Sequence, residues 1–75
     1  MKPKKISEAD EIFEALGYEK IQRNYRSGTV YEYVHEDLRS IDFICENKEV
    51  KVWNIGITMD ELKAINKKVQ ELGWL

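Results

Sequence analysis

The spacing of apolar residues changes twice along the chain, from a helical period to a strand period and back. Ala9, Ile12, Phe13 and Leu16 recur at i, i+3, i+4 and i+7, which makes one apolar stripe on a short helix. Ser7 precedes the stripe as an N-cap, and Glu8, Asp10 and Glu11 occupy the first turn, where carboxylates oppose the positive end of the helix dipole. Gly17 stops this helix, and Tyr18 is placed to reach back to Phe13. The period then drops to two, which predicts strands over Lys20–Tyr25, Thr29–Glu36, Ser40–Glu46 and Glu49–Ile55. Arg26-Ser27-Gly28, Glu36-Asp37-Leu38-Arg39 and Glu46-Asn47-Lys48 are the turns between them. Beyond Gly56 the helical period returns, with Leu62, Ile65, Val69 and Leu72 forming a narrow seam.

Both ends of this last helix are written out. Thr58 is the N-cap, Glu61 closes a capping box, and Ile57 and Leu62 stand where a hydrophobic staple is expected. Gly73 is the C′ glycine, and Trp74 is placed to touch Val69. The seam implies that Leu62 is a core residue.

Short connections make consecutive strands pair as an antiparallel meander. The expected architecture is a single small α+β domain over residues 6–75, ordered helix, three- or four-stranded antiparallel β-meander, helix, with residues 1–5 as a flexible basic tail. The strands carry apolar or aromatic side chains on both faces. Tyr31 and Tyr33 alternate with Val30 and Val34, and Trp53 and Ile55 alternate with Val50 and Val52. Which face the two helices cover is left open by the pattern.

Composition narrows the functional classes. At 75 residues the chain has a small core, so association with a partner would supply burial that it cannot make alone. Its formal net charge of −2, with both signs interspersed, counts against a general polyanion binder. The single cysteine, Cys45, excludes an intramolecular disulfide. No apolar run follows the basic start as in a signal peptide, and none is long enough for a membrane span. The expected location is therefore the cytoplasm, with no membrane contact.

Candidate chemistry is thin. His35, Glu36 and Asp37, with Asp42 nearby, form the one cluster of potential ligands or acid–base groups, but this spacing matches no metal motif and suits a solvated turn. Cys45 alternates with Ile41 and Phe43, which points to a buried, inert thiol rather than a nucleophile served by His35. No glycine-rich phosphate loop is present. No catalytic, metal-binding or cofactor-binding residue is assigned, and the chain is not expected to be an enzyme.

The stretches Tyr18-Glu19-Lys20-Ile21, Ile41-Asp42-Phe43, Asn47-Lys48-Glu49-Val50 and the closing helix from Ile57-Thr58-Met59-Asp60-Glu61-Leu62 to Leu72-Gly73-Trp74 resemble small uncharacterised phage and prophage proteins of low-GC Gram-positive bacteria. That resemblance implies an accessory cytoplasmic protein and transfers no site residue.

The leading expectation is a small protein-interaction module, a homodimer or the partner of a larger protein. Tyr31, Tyr33, Trp53 and Trp74 are its candidate anchors, because rigid aromatics dominate interface energetics. For Trp74 the alternative is a plain helix-end contact with Val69. The other functional expectation is weak binding of single-stranded nucleic acid, with Tyr25, Tyr31, Tyr33 and Trp53 stacking on bases beside Arg23, Arg26, Lys51 and the basic tail. The acidic balance disfavours it.

Overall fold

The computed structural model describes residues 7–53 and 56–75. The order is α1 (Glu8–Ala15), β1 (Tyr18–Tyr25), β2 (Gly28–His35), β3 (Ser40–Ile44), β4 (Glu49–Val52) and α2 (Met59–Glu71). The strands form one antiparallel sheet in the order β1-β2-β3-β4, so the α+β meander flanked by helices is the observed fold. The expected basic tail, residues 1–5, and the end of the expected fourth strand, Asn54 and Ile55, lie outside the described residues.

The helix ends form as the cap chemistry dictates. Ser7 Oγ accepts from the Asp10 N–H at 2.9 Å. Thr58 and Glu61 make the full reciprocal capping box. At the far end of α2, the Trp74 N–H donates to the Val69 carbonyl at 2.9 Å and the Gly73 N–H to Gln70 at 3.0 Å, a complete Schellman motif. Gly17 ends α1 with φ +93°, where a side chain is strained, and a Cβ there would lie 2.9 Å from His35 Nε2 and push that ring aside. Releasing the chain at Gly17 lets β1 start at Tyr18, two residues before the strand pattern becomes visible.

Register decides the faces. Tyr33 pairs with Ile41, Tyr31 with Phe43, Phe43 with Val50, and Ile41 with Val52. These residues share one face, and both helices pack on it. The core beneath them is Phe13, Tyr18, Tyr33, Ile41, Phe43 and Ala64, with Ile65, Val69, Leu72 and Trp74 against its rim. Phe13 is the hub. Its ring stacks on Tyr33 with centroids 4.1 Å apart and meets Tyr18 and Phe43 edge-on at 5.5 and 6.1 Å.

Two expectations are corrected here. Leu62 is 47 % exposed, and Ile57 and Met59 are exposed beside it. α2 is turned by roughly 90° from the centre of its apolar stripe, so that Glu61, Ala64 and Lys68 are its buried residues. The reason is polar: Glu61 and Lys68 each find partners under the helix. Cys45 follows the last residue of β3 and is only half-buried, because the strand ends at Ile44 and the thiol lies past the helix-covered core.

The packing predicts that Phe13→Ala costs ~3–5 kcal/mol, through lost transfer energy and the cavity left behind. Leu62→Ala should cost under ~1 kcal/mol, since a surface substitution away from special contacts is nearly neutral. Urea titration of both variants measures this. Leu38 provides a separate check. It sits at the tip of the β2–β3 turn with φ +74° and is exposed, a left-handed position that a branched residue occupies at a cost. Leu38→Gly should raise stability by ~1 kcal/mol in the same assay.

Candidate interaction surface

The covered face is sealed by two polar clusters whose members come from distant parts of the chain. In the first, Asp10 accepts a hydrogen bond from the Tyr33 hydroxyl and another from Lys20 Nζ at 2.9 Å, with Lys68 Nζ 3.6 Å away. Lys68 is buried and also stands over the Tyr31 ring, 4.5 Å from its centroid. In the second, buried Glu61 accepts from the Tyr18 hydroxyl and from Arg39 Nη1 at 2.8 Å, beyond its cap to Thr58. Burial pushes both carboxyls up, but the hydrogen bonds and neighbouring cations outweigh it and hold Asp10 and Glu61 below their usual ranges. The tyrosines shift the other way: burial and the Glu61 carboxylate raise Tyr18 to about 12, and burial with Asp10 raises Tyr33 further.

These contacts place three of the four candidate anchors on the covered side. Tyr33 is 1 % exposed and hydrogen-bonded, so it is a core residue, out of reach of a partner. Its removal would break the fold and not an interface. Tyr31 is half-buried under Lys68, with Lys20 Nζ 5.1 Å from its centroid. Trp74 is half-buried and lies against Phe43, with centroids 6.4 Å apart.

Trp53 alone faces away from the helices. It is 59 % exposed and follows β4 on the uncovered side of the sheet. Register puts Val34 and Ser40 in its row, Glu32, Asp42 and Lys51 in the next, and Val30, Ile44 and Glu49 in the third. The aliphatic side chains Ile21, Val30, Val34 and Ile44 are half-buried there, with no layer above them among the described residues. Charge on this face is uneven. Among the described strand residues, Glu19, Glu32, Asp42 and Glu49 stand against Arg23 and Lys51, with Arg23 Nε paired to Glu32 Oε1 at 3.2 Å.

Asp42 is the unusual group. Its Oδ2 accepts from the Trp53 indole N–H at 2.9 Å. Its Oδ1 is buried and has no hydrogen-bond partner. Native structures satisfy nearly all such atoms. Burial raises the Asp42 carboxyl above the usual range, the Trp53 bond opposes that, and the Glu32 carboxylate adds to it. The sequence places Asp42 only near the His35–Asp37 cluster and does not mark it as a buried, unpaired carboxylate. The signal is tertiary: it depends on burial in the folded sheet and on the Trp53 indole reaching Asp42 from the neighbouring strand.

His35 and Cys45 do not meet. His35 closes β2 opposite Tyr18, while the Cys45 N–H donates to Thr29 at the strand's other end. Thr29 and His35 stand at opposite ends of the strand, roughly 20 Å apart. Among the described residues no group of three or more His, Cys, Asp and Glu could hold a metal ion, and no helix is long and apolar enough to cross a membrane.

The fold and this face define a two-layer α+β domain with one sheet surface bare. Comparison with known protein families, with functionally curated proteins and with solved structures yields no match.

The carboxyl shifts generate a prediction with opposite signs. A depressed group stabilises the fold above its unfolded value and loses that contribution as pH falls. The chain should therefore lose stability as pH drops below about 4.5 and 3.8, the ordinary values for Glu61 and Asp10. Asp42 is raised, so its charged form costs stability above the ordinary aspartate value. Asp42→Asn should make the chain more stable at neutral pH, measured by thermal unfolding.

Proposed function

We propose that this chain is a small non-enzymatic module that binds another protein through the bare face of its sheet. The observation that carries the reading is that both helices pack on the same side. Val30, Val34, Ile44 and Trp53 are left as a partly exposed apolar surface on a rigid frame. Surfaces of this kind usually mark binding sites in soluble domains. A phage- or prophage-type accessory role in the cytoplasm is consistent with a domain of this size that leaves one face of its sheet uncovered.

Single-stranded nucleic acid suits the face less well. A stacking platform needs several aromatics beside a basic groove. Here Tyr31 and Tyr33 lie under the helices, exposed Tyr25 stands at the end of the opposite edge strand from Trp53, and the strand residues around Trp53 carry more carboxylates than cations.

Trp53→Ala should abolish capture of the partner from host or infected cells while leaving the far-UV circular dichroism unchanged. Leu62→Ala, on the outer face of α2, should capture it as the parent does. Equal capture by the parent and Trp53→Ala would locate binding elsewhere, and a strict monomer that captures nothing would remove the interaction reading.

A further inference from the structure

We infer that the partner of the bare face is a cationic segment of another protein, which places an arginine or lysine on Asp42 and apolar residues on Val34, Ile44 and Trp53. This rests on the docking reading above and specifies its chemistry.

Three observations converge on it. First, Asp42 Oδ1 is a carboxylate oxygen shielded from water with no donor, in a charged row between the rows that carry Val34 with Trp53 and Val30 with Ile44. Such an atom loses solvation without compensation. A guanidinium or ammonium entering beside the indole would supply both the missing donor and the opposing charge. The Trp53 ring is largely exposed and anchored through one hydrogen bond, so it can shift to admit that group.

Second, Glu32 and Asp42 are direct cross-strand neighbours on the two central strands. Arg23 and Lys51 flank them on the edge strands. Like charges opposite each other are unfavourable in a sheet; Arg23 is spent on Glu32 at 3.2 Å, and a further cation at Asp42 would answer the oxygen that no donor reaches. The same placement disfavours a second copy of the chain. A twofold axis lying in the interface and centred on the face would bring these carboxylates against their own copies.

Third, the face is small. Four strands at ~4.8 Å spacing and about five residues at ~3.3 Å give roughly 300 Å². A standard protein–protein interface takes ~800 Å² from each partner. A helix is ~10–12 Å across, so one segment, and not a whole domain face, matches the space.

The test uses the full chain, ¹⁵N-labelled, with two short amphipathic peptides, one built of leucine and arginine and its twin with glutamate for arginine. Binding is followed at the Trp53 Nε1–H resonance and the amides of Val34, Asp42 and Ile44. The arginine peptide should move these signals and leave Trp74 in place, more weakly as salt rises, and the glutamate peptide should not. Asp42→Asn should weaken binding about tenfold or more, the scale of a lost charge-assisted hydrogen bond. Equal binding of the two peptides, or indifference to Asp42→Asn, overturns the inference and leaves the docking reading intact. No shift with either peptide also overturns it, and partner capture by the parent but not Trp53→Ala then decides the docking reading independently. A thymidine oligonucleotide moving the same signals would overturn both in favour of nucleic acid.

Discussion

The Phe13 ring is the contact on which the other elements depend. It is the one side chain of α1 that reaches Tyr18 of β1, Tyr33 of β2 and Phe43 of β3 together. Three strands are thereby referred to a single helix position. Stacked and edge-on aromatic contacts add specificity beyond buried area, because ring orientation matters as well as distance. α2 joins the same core through Ala64, whose small side chain fits beneath the helix where a longer one would lift it. In a domain of this size, one ring that touches most of the architecture replaces the several core layers of a larger protein.

Around that ring, charge does what apolar volume cannot. Asp10 and Glu61 each join one helix to the sheet through a tyrosine hydroxyl and a cation. Buried ions tolerate few arrangements, since each must keep its partners once water is gone. They therefore select one rotation of α2 among several that the apolar stripe would allow. Leu62 and Met59 are left in solvent as the consequence of that selection. The two helices run antiparallel, with the Glu71 carboxylate accepting from the Ala9 N–H at 3.0 Å, so the negative end of one dipole lies against the positive end of the other.

What the residue pattern reveals follows the range of the forces involved. Caps at Ser7, Thr58, Gly17 and Gly73 act within a few residues, so both helices are legible to their ends. Strand alternation separates Tyr31, Tyr33, Ile41 and Phe43 from Val30, Val34 and Asp42, because the pleat has a period of two. Alternation cannot say which set is covered. That is settled by Phe13 and Glu61 meeting residues far away in the chain, and with it the opposite fates of Tyr33 and Trp53. Cys45 shows the same limit, since its alternation with Phe43 outlasts the strand that gives alternation meaning. The bare face could be anticipated as one of two possibilities, but the orphaned oxygen of Asp42 could not.

The contact between Glu71 and Ala9 has a further geometric meaning. It brings the first turn of α1 and the last turn of α2 to one corner of the helical layer. The start of α1 and the end of α2 therefore lie side by side, in the layer on the opposite side of the sheet from Trp53. The helical layer is thus latched at its own corner, and the strand surface takes no part in holding it closed.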